Sequence, residues 1–238
     1  MLVETSKLIA HYAPGPNARP PVHLGRRYDR AGRFQPEPGN TVVCHVLPGS
    51  VTEQALVDAR AHYLAMPEAR RLAFTPVESY HMTLFQGIIE DRREPPYWPA
   101  GVAADASIAA MTDLFLHRLE TFSGGEPFNV TVKAALPTGL LVEGATPDDR
   151  RAMADWRVRF AEVFGYRHPD HDSYGFHITM AYLIDWFDAD AMPAWEVMLN
   201  EVVEDIRRRA PVLELRAPAF CRFEDMNWFE ELRVFAAR

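Results

Sequence analysis

Cysteine is scarce in this 238-residue chain, with only Cys44 and Cys221 present, both in runs that read as strands. Two thiols so placed exclude a disulfide framework and read as small buried hydrophobes. Positive charge is also in short supply. Lys and Arg number 25 against 33 Asp and Glu, for a net charge of -8. Long nucleic acids bind chiefly through cations that neutralise many phosphates at once, so none is expected as a partner. A small anion held in a local pocket stays compatible with that balance. No uninterrupted apolar run approaches the roughly 18 residues of a membrane span. The opening "MLVETSKLIAHYAPGPN" lacks the basic and apolar regions of a secretory signal. A soluble, cytoplasmic protein without a membrane partner is expected.

The chain does have enough apolar material to bury a full core: 48% of residues are hydrophobic and 24% charged. Residues 1–40 are rich in Pro, Gly and Arg. They read as an extension packed on the core, with a short hairpin around Ala31-Gly32. Residues 41–238 read as one bilobal domain. "TVVCHVLP" (41–48) is a strand by its β-branched content, and Ser50 with Glu53 forms a capping box for a helix to about Met66. A helix from about Asp105 to Phe122 precedes the strands "FNVTVKA" and "GLLVEG". Thr146, with Pro147 at the first helical position, then opens a helix ending near Gly165. "YGFHITMAYL" follows as a strand. A further helix from about Pro193 to Arg209 leads to three short strands, "VLELRA", "AFCRFE" and "LRVFAA".

Two apolar strands share a tripeptide pattern. "ESYHMTLFQG" (78–87) carries His81 and Thr83, and "SYGFHITMAYLI" (173–184) carries His177 and Thr179. Ser50 precedes His81 by 31 positions and Thr146 precedes His177 by the same 31, as a duplicated strand–helix–strand unit requires. Strand side chains alternate between faces. His81, Thr83 and Phe85 are therefore expected on one face, opposite Tyr80, Met82 and Leu84. Likewise His177, Thr179 and Ala181 are expected opposite Phe176, Ile178, Met180 and Tyr182.

A single His-x-Thr carries no weight, but two in matched contexts point to chemistry. Imidazoles with an ordinary pKa near 6.5 can serve as base and acid in the same reaction near neutral pH. Such a pair suits in-line displacement at phosphorus: one takes a proton from the nucleophile, the other gives one to the leaving oxygen. The Thr hydroxyls can donate to the non-bridging oxygens, and no metal or other cofactor is required.

"HMTL" (81–84) and "HITM" (177–180) resemble the paired H-x-T-x motifs of the two-histidine (2H) phosphoesterase superfamily, which includes RNA 2',5' ligase-like proteins and cyclic nucleotide phosphodiesterases. "PGNTVVCHV" and "HPDHDSYGFHIT" further resemble a microbial subfamily catalogued as a domain of unknown function. The resemblance implies an α+β fold with two pseudo-symmetric lobes, whose antiparallel sheets face a central cleft with helices outside. It implies metal-independent cleavage of a small cyclic phosphate or a 2',5' or nucleotide-derived phosphodiester. His81 and His177 would act as acid and base, and Thr83 and Thr179 would hold the phosphate.

Further phosphate-site candidates are the cations Lys133, Arg216 and Arg222, while Phe85 is placed to stack on a base or sugar. Two other readings stay open. One is a non-catalytic module binding a nucleotide or RNA end in the same cleft. The other is a metal-dependent hydrolase built on His168, Asp170, His171 and Asp172 of "HPDHD".

Overall fold

The computed structural model of this chain describes residues 5–15 and 19–235. A short helix α1 (Thr5–Ile9) lies in the N-terminal segment and packs on α5 (Met192–Arg209). Between them, the helices start where the sequence supplies caps. At the head of α2 (Val51–Ala65), the Ser50 hydroxyl accepts from the Glu53 N–H. The Glu53 carboxylate, however, accepts from the Gly49 N–H, so the return arm of the expected capping box falls one residue short of Ser50. Ser107 caps α3 (Ile108–Leu119), slightly later than the sequence suggests. Thr146 and Asp149 form a complete box before α4 (Pro147–Phe164), and Gly165 ends that helix at φ 77°, in the left-handed region.

Nine strands complete the fold: β1 (Gly39–His45), β2 (Leu72–Phe74), β3 (His81–Phe85), β4 (Val130–Leu136), β5 (Gly139–Gly144), β6 (His177–Thr179), β7 (Ala181–Leu183), β8 (Ala219–Phe223) and β9 (Glu230–Val234). Seven form one antiparallel sheet in the order β4-β5-β6-β3-β1-β8-β9, while β2 and β7 pair as a separate ribbon. The α+β class holds. The two sheets expected to face one another across a cleft instead meet edge to edge, because β3 and β6 hydrogen-bond directly. Joining them pairs the backbone groups that two separate edge strands would leave open. The halves stay recognisable, with strand, helix and motif strand in the same order in β1-α2-β3 and β5-α4-β6.

Helices cover one face of this sheet. Met82, Leu84, Ile178 and Met180 lie in one core with Phe115, Phe160, Phe164 and Trp195 from α3, α4 and α5. The opposite face is different: a smaller cluster of Val43, Ile89, Cys221, Phe223, Met226 and Phe229 occupies one end. Cys44 and Cys221 are both buried and free.

Three sequence expectations are revised. Residues 174–183 do not form one strand: the N–H groups of Met180 and Ala181 both donate to the Thr138 carbonyl, so the chain breaks ladder between β6 and β7. "VLELRA" makes only isolated bridges, Leu213 to Val130 and Leu215 to Val46, because its residues straddle two different strands between Pro211 and Pro218. The expected last strand "LRVFAA" begins two residues early, at Glu230, and its positions 236–237 lie outside the described residues. The extension carries the hairpin: Tyr28 bridges Phe34, and Gly32 adopts φ 76° at the turn. Tyr28 is buried and donates from its hydroxyl to the Leu183 carbonyl at 2.6 Å. Residues 1–4 and 16–18 of the extension lie outside the described residues.

Candidate active site

The antiparallel register of β3 and β6 pairs Met82 with Ile178. His81 therefore sits across from Thr179 and Thr83 across from His177, an arrangement with local twofold character. Both central residues, Met82 and Ile178, point into the helix-side core, so the four motif side chains share the opposite face. All four line one cleft of about 360 Å³.

Each imidazole is oriented the same way. His81 Nδ1 bonds the Ser79 carbonyl at 2.6 Å, and His177 Nδ1 bonds the Gly175 carbonyl at 3.0 Å. A carbonyl only accepts, so Nδ1 carries the proton in both rings, and Nε2 is the free acceptor of each neutral imidazole. Burial holds His81 far below its ordinary range, at about 3. The Ser79 bond opposes that shift, and nearby His45 and His177 add to it. His81 is therefore neutral near pH 7, and its ring packs 4.2 Å from that of Phe229. His45 lies beside it on β1, with ring centroids 5.9 Å apart, and its own Nδ1 meets Glu231 at 3.0 Å.

Each threonine has a tyrosine neighbour in the cleft. Burial raises the Tyr174 phenol, with Thr83 among the groups opposing the shift. Burial likewise raises Tyr182, with Arg27 and Thr179 among the groups opposing it. Gly139 explains how β5 passes so close behind Thr179. Its φ is 142°, and a Cβ there would stand 2.1 Å from the Ile178 carbonyl oxygen.

Strict alternation fails just past each motif, and this moves two residues. On β3, Val43 pairs with Thr83 but Val42 with Phe85, leaving Leu84 as an extra residue. Phe85 thereby turns to the helix side, 1% exposed, against Phe160, Phe164 and Tyr166. It is thus a core residue and no stacking platform. Arg157 of α4 donates to the Leu84 carbonyl at 2.8 Å and stacks 4.2 Å over Tyr174. The break at Met180 has the converse effect: Ala181 enters the core, and Tyr182 turns to the cleft.

The expected cations also lie elsewhere. Lys133 pairs with Glu143 at 3.5 Å, Arg216 with Glu231 at 2.9 Å and Arg222 with Glu230 at 2.6 Å, and none lines the cleft. Lys133 and Arg222 sit on strands away from the centre and Arg216 in the segment before β8, and each meets a carboxylate on a neighbouring strand. The cleft receives instead Arg26, Arg27 and His23 from the extension and Arg92 from the loop after β3. The arginine-dense "GRRYDRAGR" was the available signal for the first pair, but no local pattern brings it to the motif strands.

In the "HPDHD" loop, His168 and His171 are buried, 4% and 6% exposed, beside Phe85, and Asp172 pairs with Arg167. Among the described residues, no three His, Cys, Asp or Glu side chains are grouped to hold a metal ion. No helix among them is long and apolar enough to cross a membrane.

Residues 27–141 match the family model 2H-phosphodiest, a domain of unknown function (DUF1868). Over that stretch, just under half of its length, the chain matches the 2H-phosphodiest family. That match takes in His81 and Thr83, while the second motif lies beyond it. The conserved protein of unknown function ATU0111 from Agrobacterium tumefaciens str. C58 is similar over both halves of this chain. The two share 50% identity across 97% of this chain and 99% of that one, with a TM-score of 0.96. No curated protein matches the chain. The match to the 2H-phosphodiest model supports a phosphoesterase-type function.

Proposed function

We propose that this protein is a phosphoesterase that opens a small cyclic phosphate, or cleaves a 2',5' or nucleotide-derived phosphodiester, by two-histidine acid–base catalysis. The observation that carries this reading is the pairing of the motif strands, with both Nδ1 atoms tied to carbonyls two residues upstream. It leaves two Nε2 atoms and two hydroxyls for one phosphate. His81, held neutral by burial, takes the proton from an attacking water as its oxygen bonds to phosphorus. His177, protonated at Nε2, gives its proton to the leaving oxygen as the old P–O bond breaks. Thr83 and Thr179 donate to the non-bridging oxygens as charge builds there. No step calls for a metal.

The test is hydrolysis of a panel of 2',3'-cyclic nucleotides and 2',5'-linked oligonucleotides, with and without chelator, by the natural chain and by His81→Ala and His177→Ala. Each variant should lose about 10²- to 10⁴-fold in rate while keeping its circular-dichroism spectrum. Normal turnover by either variant ends the assignment. Loss of activity with chelator transfers it to metal chemistry.

A further inference from the structure

The cleft holds more positive charge than one phosphodiester needs. Among the described residues that line it are three guanidinium groups, Arg26, Arg27 and Arg92, and no carboxylate, in a chain whose net charge is -8. The carboxylates that organise the cluster stand behind it. Glu37, 1% exposed, meets Arg27 Nε at 2.5 Å and Arg26 Nε at 3.2 Å, while Asp91 meets Arg26 Nε at 2.5 Å. These contacts occupy the Nε atoms and leave terminal nitrogens forward, where Arg26 Nη2 reaches His23 Nδ1 at 3.0 Å and Arg27 Nη1 reaches the Tyr182 hydroxyl at 3.5 Å.

Arg92 has no such counter-ion. It makes no ion pair among the described residues, its guanidinium lies 4.6 Å over the Tyr97 ring, and its Nε is buried without a hydrogen-bond partner. Two carboxylates against three arginines leave one positive charge uncompensated at the cleft wall, and burial of that charge is costly until an anion meets it. Burial together with the three arginines also holds His23 neutral, near 3, so it adds no further charge to the cluster.

The cluster is connected to the reacting centre. Arg27 stacks 5.2 Å over Tyr182, and Tyr182 adjoins Thr179. A phosphodiester carries a single negative charge, for which the motif hydroxyls already provide. Resting on the phosphoesterase reading above, we propose that Arg26, Arg27 and Arg92 form a second anion subsite, so that the substrate cleaved at the histidines carries a further phosphate group. The extension contributes two of the three cations, and substrate choice is thus written largely outside the motif strands. Arginine suits this task, since its planar fork binds phosphate oxygens in pairs.

Calorimetric titration with two product-like probes tests the subsite apart from turnover: adenosine 2'-monophosphate and adenosine 2',5'-bisphosphate. The full-length protein should bind the bisphosphate roughly ten- to a hundredfold more tightly, the range for one to two charge-assisted contacts. Arg92→Ala, and Arg92→Gln as a milder change, should bring that ratio towards one. Arg222→Ala, an exposed arginine outside the cleft, should leave it unchanged. Equal affinities for the two probes, no bisphosphate binding at millimolar concentration, or a ratio that survives loss of Arg92 overturns the subsite. Hydrolysis of a simple 2',3'-cyclic nucleotide is scored separately. A chain that hydrolyses it without distinguishing the probes retains the reaction and loses the subsite. One that distinguishes the probes without hydrolysis does the reverse.

Discussion

Mild acid should soften this protein well before its carboxylates titrate. Burial pushes His81 down to about 3 and His168 to about 4, whereas both regain an ordinary value near 6.5 on unfolding. Below that value the unfolded chain binds protons that the folded chain refuses. Stability is therefore full above about pH 7 and falls as the pH drops from about 6.5 towards 4. At about pH 5.5 each group costs about 1.4 kcal/mol, and the pair about 3 kcal/mol. His23, also held near 3, acts in the same direction, but less because more of it meets solvent. For a domain of this size, 3 kcal/mol is a fall of about 6 to 12 °C in melting temperature. The salt-bridged and capping carboxylates, such as Asp149 with its lowered value, lose their contribution only at lower pH. The assay is a set of thermal melts by circular dichroism between about pH 7.5 and 5.5, for the natural chain and for His81→Gln combined with His168→Gln. Identical melting temperatures across that range, or an undiminished slope in the double variant, would refute the burial argument.

Two further outcomes probe the site's framework. Thr83→Val keeps the shape of the side chain and removes a donor to the phosphate, so kcat should drop by about 10²-fold with little change in KM, whereas a change in KM alone would make Thr83 a simple binding group. Gly139→Ala drives a Cβ against the Ile178 carbonyl at a backbone angle unfavourable to alanine. It should cost about 1 to 3 kcal/mol, read as a lower urea midpoint, and also slow turnover by shifting Thr179; an unaltered midpoint would show that β5 can retreat freely.

What could be read in the sequence were features with local causes. The caps at Ser50 and Thr146 follow from side chains a few residues from the groups they bind, and the motif pairs follow from strand alternation. What escaped had causes elsewhere in the chain. Phe85 and Tyr182 changed faces because of an extra residue at Leu84, set by the partner strand β1, and a ladder break at Met180, set by Thr138 in the turn between β4 and β5. The cleft's arginines escaped because Arg26 and Arg27 reach the site only when Glu37 and Tyr182 gather them, while the more obvious Lys133, Arg216 and Arg222 found carboxylates close at hand. The ribbon strand β2 escaped for the same reason, since Leu72–Phe74 is a strand only by virtue of β7.

The pairing of Met82 with Ile178 makes the two histidines near-equivalent under a half turn, so the reacting quartet alone has no preferred direction of travel. On the proposed two-histidine reading, direction comes from the rim, where guanidinium groups lie towards Tyr182 and an aromatic wall with Phe229 lies against His81. Remodelling that rim could exchange donor and acceptor histidines, and so reverse the sense of attack, with all four motif residues left as they are.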